Sequence, residues 1–330
     1  MSQGVKHELL STKVPGNVFA GTYLVESVSE KTTSTGKKFT DLIIRDKSGS
    51  RPLKYWGTMI DIKRGDFITT LISVENYQGN ASFTSNDAAK EKAPADLSNH
   101  VASFDNLDKT LSDFNGFIEK VKSLEGSETT CSKLLSEVFS GPFFEKFKTV
   151  PGSVSPCYGK IGGNLVRTVR IATNADFLGS SRGFSSREQA RLITAALIHR
   201  CGGAVAFRFD CGMPEYTEEG MLIGVSTLSA FRFKSAVDSL KGKIDWKGTG
   251  LPIMHSIEAS IGSGIKPMTF EAIVLSQSSK ADFQLSEAQD FIGNDGNHIE
   301  GSFSSFDPTL RRKFYYTEDH RDNSLPNDSE

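Results

Sequence analysis

Between positions 18 and 85, apolar and polar residues alternate in short runs separated by turn-forming residues. Residues 23–28 form one run, closed by Thr33-Ser34-Thr35-Gly36. Residues 39–44 form a second, closed by Asp46-Lys47-Ser48-Gly49. Residues 52–56 and 67–77 follow, then Gln78-Gly79-Asn80 turns the chain into 81–84. Successive side chains of a strand point to opposite faces, so each run can bury one face and expose the other. Five short strands at this spacing predict a small β-barrel. Leu42, Ile44 and Leu53 fall on the inward parity, while Phe39, Lys54 and Trp56 are assigned to an outer groove. Small barrels also bury aromatics, so Phe39 and Trp56 have a second reading as core residues.

From Asn106 onward the period changes. Leu107, Leu111, Phe114, Ile118 and Val121 recur at three- and four-residue steps, the signature of an amphipathic helix. Further helices are predicted over 132–138, 164–176, 186–199, 220–240, 252–260 and 269–283. Ser185 followed by Glu188 reads as a capped helix start. The Ala/Lys-rich stretch 88–95 reads as a linker. The chain is therefore expected to be an α+β multidomain protein, with a barrel over 1–95, a helical domain over 96–316 and a tail over 317–330.

Composition adds little to that outline, and charge distribution adds more. The 330 residues are 24% charged and 37% hydrophobic, ordinary for a globular chain, with a net charge of -2. Between Lys31 and Arg64 nine Lys/Arg face three Asp/Glu, whereas 317–330 holds five acids and one Arg. A basic patch on the barrel points to an anionic partner, though two solvated faces would read the same way. The four cysteines, Cys131, Cys157, Cys201 and Cys211, have no CxxC or zinc spacing and read as reduced thiols of a cytoplasmic protein, in the host cytoplasm if the source is viral. The N-terminus has no apolar signal region and no run approaches a membrane span, so no membrane partner is expected.

Several stretches carry a resemblance. Gly36-Lys37-Lys38-Phe39, the run Leu42 to Gly49, and Leu53-Lys54-Tyr55-Trp56 lie in the barrel. Gly162-Gly163-Asn164-Leu165-Val166-Arg167, the stretch Pro214 to Gly224, and Met268 to Leu275 lie in the helical part. In order and type these resemble the bacterial 3′-5′ exoribonucleases that join an N-terminal OB-fold to an HD domain. The resemblance implies an OB-fold barrel and an HD-like helical domain. It also assigns metal-ligand positions, and the ligands are missing from them. The paired His-Asp falls on His199-Arg200, the first histidine on Arg167 and the preceding histidine pair on Cys157-Tyr158. The later histidine pair falls near Ser260 and the closing aspartate near Ser279. A guanidinium repels a cation and cannot ligate it, so no metal, cofactor or catalytic residue is expected and the HD-like domain reads as degenerate.

His199 ends an apolar helix and reads as a buried helix-end histidine rather than a residual ligand. Arg167 and Arg200 are expected to pair with acids such as Asp176 or Glu215; lining the old pocket for a phosphate is the alternative. The chemistry that remains lies in the barrel. An OB groove tracks phosphates with cations and stacks bases on aromatic faces. Lys37, Lys38, Phe39, Arg45, Arg51, Lys54, Trp56, Tyr77 and Phe83 are the residues expected to do so. The expected function is non-catalytic binding of single-stranded nucleic acid, DNA slightly ahead of RNA, with the HD-like domain as a binding or assembly platform. A divergent metal-dependent exoribonuclease and an adaptor for replication or RNA-processing proteins are the alternatives. The tail or helical domain would contact such a protein partner, or a second copy of the chain.

Overall fold

The computed structural model describes residues 7–33, 35–57, 61–77, 80–94, 99–210, 212–259, 264–294 and 301–316. The chain divides into two compact units. The first is Met1–Ser103 with Phe209–Met213, and the second is Phe104–Arg208 with Pro214–Glu330.

The first unit is built from β1 (Val18–Thr32), β2 (Lys38–Asp46), β3 (Gly49–Tyr55), β4 (Phe67–Tyr77), β5 (Asn80–Ser85) and β6 (Ala88–Glu91). β1 pairs with β2, β2 with β3, β3 with β5, β5 with β4, and β4 returns to β1. This closed order is that of a five-stranded OB-fold barrel. One long strand serves two neighbours. Residues 18–24 of β1 pair with β4 and residues 24–32 with β2, and the register shifts between Val25 and Ser27. Such a bulge sharpens the bend that closure requires. The barrel core holds Tyr23, Leu42, Ile44, Leu53, Ile68 and Ile72, all at 0% exposure. The inward parity expected of Leu42, Ile44 and Leu53 is thus what the barrel adopts.

The stretch 88–95 is not simply a linker. Its first half is β6, antiparallel to β4 with Thr70 opposite Ala88. β6 occupies the outer edge of β4 where β5 has already turned away, and this satisfies backbone groups that would otherwise lie unpaired.

The second unit is helical. Its first helices are α1 (Leu107–Glu125), α2 (Thr130–Val138), α3 (Gly141–Thr149), α4 (Gly163–Ser181), α5 (Ser186–Ile198) and α6 (Gly203–Ala206). A short hairpin follows, β7 (Phe207–Asp210) and β8 (Met213–Tyr216), with its tip assigned to the first unit. Then come α7 (Glu218–Leu222), α8 (Val225–Ser239), α9 (Leu251–Glu258) and α10 (Phe270–Asn294). α5 is the central helix, with Leu192, Ile193, Leu197 and Ile198 fully buried. Its start is a complete capping box: the Ser185 side chain accepts from the Glu188 backbone and the Glu188 carboxylate accepts from Ser185 N–H.

Three features depart from the sequence reading. The helix expected over 220–240 is two helices, because Gly224 holds a φ of 84° that breaks the ladder. α3 was not expected from the sequence. Pro142 is compatible with a first turn, and Phe147 behind it packs with Phe114, Phe139 and Phe144. The last long helix continues to Asn294 rather than ending near 283.

Candidate functional site

Two places gather the residues singled out from the sequence. The first is the outer face of β2 and β3. Alternation along β2 sends Leu42, Ile44 and Asp46 inward and Phe39, Asp41, Ile43 and Arg45 outward. On β3, Leu53 and Tyr55 are buried, and Lys54 and the following Trp56 fall on the opposite parity. Phe39 and Trp56 meet with ring centroids 4.9 Å apart and planes tilted by 32°. Both are half-buried and neither belongs to the barrel core cluster, so the reading of them as core residues does not hold. The Lys37 ammonium lies 4.7 Å from the Trp56 ring centroid, and that of Lys54 lies 4.9 Å from the ring of Tyr77, which is 58% exposed. An ammonium over an aromatic face is held by the ring quadrupole and leaves outward N–H groups for an anion.

The other barrel residues separate. Lys38 is exposed at the start of β2, and among the described residues no carboxylate pairs with Lys37, Lys38 or Lys54. Arg45 faces outward but is engaged by Glu26 at 2.6 Å. Arg51 is a correction. It lies opposite Ile44 on the inward parity, two residues from Leu53, and its Nη1 donates to the Ser50 carbonyl. Phe83 is a second correction: it is 3% exposed and belongs to the core. β5 runs parallel to β3 with Phe83 beside Leu53, so both point inward. Sequence alternation fixes relative parity within a strand, but which parity faces in depends on the partner strand.

The second place is a cavity of about 190 Å3 in the helical unit, lined by Arg167 and Ile171 of α4, His199 and Arg200 after α5, Ser226 of α8, and Ser279 and Phe283 of α10. Four positions named by the resemblance, Arg167, His199, Arg200 and Ser279, thus come together. Close backbone approach sets the entrance of α4. A Cβ on Gly163 would lie 2.1 Å from the Tyr158 carbonyl oxygen, so only glycine lets the 152–158 loop sit against the helix start. That loop in turn presents the Gly152 carbonyl to Arg200 Nη2 at 2.8 Å.

His199 is 3% exposed. Its Nδ1 is 2.6 Å from the Ala196 carbonyl, which can only accept, so Nδ1 carries the proton. Nε2 then accepts from the Ser279 hydroxyl at 3.3 Å. Burial pushes the His199 pKa down to about 3, with the Arg200 charge acting in the same direction, so the ring is neutral at pH 7. Burial and the neighbouring Arg167 lower the Arg200 pKa to about 9, which leaves it a cation at pH 7.

Arg167 does not pair with Asp176 or Glu215. Its Nε donates to Asp282 Oδ2 at 2.9 Å, and the Tyr158 hydroxyl donates to Asp282 Oδ1 at 2.5 Å. Asp176 stands nine residues further along α4, on the opposite side at about 100° per residue, and takes Lys120 instead. Asp282 was not singled out from the sequence. The available signal was its spacing: it follows Ser279 by three residues and so shares that face of α10. Cys157 donates its backbone N–H to Asp290, and burial with the Asp290 charge pushes its thiol pKa up to about 11, far from a reactive thiolate. Ser260 and the acidic tail lie outside the described residues. Among the described residues no group of three or more His, Cys, Asp or Glu is placed to hold a metal ion, and no helix is long and apolar enough to cross a membrane.

No protein-family model matches the chain, and no curated protein matches it in sequence. Among solved structures it is similar to the second OB-fold domain of replication protein A from Methanococcus maripaludis, at 15% identity with a TM-score of 0.23. The match covers 27% of this chain and 99% of that domain. The OB-fold description of the barrel rests on its strand order.

Proposed function

We propose that this chain binds single-stranded nucleic acid across the outer face of β2 and β3 and performs no chemistry on it. One observation carries the reading: Lys37, Trp56 and Phe39 stack together on the same face as Lys54 and Tyr77, and among the described residues no carboxylate pairs with Lys37 or Lys54. Aromatic faces stack any base and the ammonium groups follow the phosphates, the two components of sequence-tolerant single-strand binding. The β2–β3 face is also the surface that OB-folds use for oligonucleotides.

The helical unit is read as a degenerate HD-like domain. Its resemblance-derived ligand positions hold two guanidiniums and a neutral imidazole in place of a cation-binding set. Its role in this reading is a platform for assembly with a replication or RNA-processing partner. DNA is preferred to RNA as the strand, since a domain without nuclease chemistry suits protection of a strand.

Fluorescence anisotropy of labelled oligo-dT, oligo-U and duplex DNA tests this, run beside a degradation assay with Mn2+ and Mg2+. Wild-type protein is expected to prefer single strands, with affinity falling steeply with salt, and the Lys38→Ala/Trp56→Ala double variant to bind more weakly. An unchanged titration for the double variant would remove the face assignment. Chelator-sensitive shortening of the strand, lost in His199→Ala, would replace the reading with a nuclease. No binding to any strand at low salt would favour an adaptor.

A further inference from the structure

The cavity of the helical unit is lined by none of the barrel-face residues and has its own chemistry. Arg200 lines it as a partly buried cation that donates to the neutral Gly152 carbonyl, and among the described residues its buried Nε–H has no hydrogen-bond partner. Arg167 beside it spends one N–H on Asp282 and points a second, at 3.5 Å, toward Gly152 O. One carboxylate therefore faces two guanidiniums. Two hydroxyls, Ser226 and Ser279, complete the polar lining, and Ile171 and Phe283 close it with apolar surface. His199 adds no charge, since its proton is on Nδ1 and directed at Ala196.

We infer that this cavity is a binding site for a single phosphate group, held by Arg200 with Arg167 and the serine hydroxyls. The sign of the charge excludes a cation: the lining residues include two guanidiniums and no carboxylate, and Asp282 behind Arg167 is already shared by Arg167 and Tyr158. Guanidinium N–H groups match tetrahedral oxyanions in geometry and bind them by charge-assisted hydrogen bonds. Size narrows the class. About 190 Å3 is far more than one water needs, roughly 10–15 Å3, and below the roughly 300–1,000 Å3 of clefts that enclose whole drug-sized ligands. A phosphate ion, or the terminal phosphate of a chain whose remainder stays outside, fits between these limits. The two sources share one recognition chemistry.

The test is thermal unfolding of the full-length protein in sodium phosphate and in sodium chloride of matched ionic strength. It is repeated with pdT-dT carrying a 5′-phosphate and with the same dinucleotide ending in a hydroxyl. A ligand that binds only the folded state raises the unfolding temperature in proportion to its occupancy. Phosphate is expected to raise it and chloride not, with the half-saturating concentration at least tenfold higher in Arg200→Gln. A response to inorganic phosphate identifies a free anion as sufficient; a response only to the 5′-phosphorylated dinucleotide identifies a strand end, and both uphold the site. Should Arg200→Gln fail to fold, broadening of the 31P resonance of phosphate by wild-type protein gives the same decision without a variant. The Lys38→Ala/Trp56→Ala variant is expected to keep the phosphate response even where it loses the strand. No response to either ligand, a full response in Arg200→Gln, or loss of the response in the barrel variant would overturn the inference.

Discussion

The barrel face and the helical cavity both bring lysine or arginine against aromatic rings, yet they do so in opposite solvents. On the barrel, Lys37 and Lys54 lie over Trp56 and Tyr77 at the surface, where each contact is weak and each cation keeps its water. In the cavity, Arg167 lies 5.0 Å from the Tyr158 ring and is tied to Asp282, both carboxylate oxygens of which are engaged. Low dielectric makes each of those interactions strong and each missing partner costly. In the proposed reading the same residue types capture a ligand at the surface on the barrel, whereas in the cavity they also hold the unit together. Removing a barrel cation should lower affinity and leave the fold, whereas removing a cavity group should lower stability.

The sharpest break in that comparison is Asp282→Ala. It leaves Arg167 buried without its counter-charge and Tyr158 without its acceptor, and is expected to cost about 3–5 kcal/mol in urea unfolding. A loss below 1 kcal/mol would place the cavity with the barrel face in energetic character. Next comes pH. His199 is neutral in the folded state down to about pH 3 but protonates near 6.5 when unfolded, so between those values the unfolded chain binds the extra proton. Stability from this group is complete above 6.5 and is lost as pH falls, by about 2 kcal/mol between pH 7 and pH 5. The slope of unfolding free energy against pH should flatten by that amount in His199→Gln, and an identical slope would show that the imidazole is not buried neutral.

On the barrel, Trp56→Ala is expected to weaken oligo-dT binding by about 1–3 kcal/mol, the value of one stacking platform, with a smaller stability change than Asp282→Ala. A stability loss that exceeds the affinity loss would return Trp56 to the core. Lys37→Ala, Lys38→Ala and Lys54→Ala should each reduce the slope of log K against log salt by about 0.7 if each neutralises one phosphate of a single strand. The smallest effect belongs to Lys31→Ala. Its ion pair with Asp41 is largely solvated, so about 0–1 kcal/mol of stability is at stake, and a double-mutant cycle with Asp41→Ala would measure it.

Much of the barrel was legible because a strand has a period of two. Alternation put Leu42, Ile44 and Leu53 on the inward parity and Phe39, Lys54 and Trp56 on the other, with Phe39 and Trp56 left open to the core. Phe83 was misplaced because its orientation depends on register with β3 and β4, which no local pattern carries, whereas Arg51 shares the parity of Leu53 two residues along the same strand and alternation alone places it inward. The helical unit showed the same limit at a larger scale. The apolar runs of α4 and α5 and the cap at Ser185 were visible, but the break at Gly224 and the aromatic cluster behind Pro142 were not.

The cavity divides the two kinds of information most clearly. By itself the sequence determined that arginines, a serine and one histidine stand at these positions, and residue identity alone settles that a guanidinium cannot hold a cation. It also determined a basic, aromatic-bearing barrel. Only the tertiary structure decided that Arg167 answers to Asp282 rather than Asp176, that His199 is neutral, and that Arg200 keeps an N–H without a partner. Those are properties of contacts between α4, α5 and α10, segments up to about a hundred residues apart, and they exist only once the helices are packed against each other.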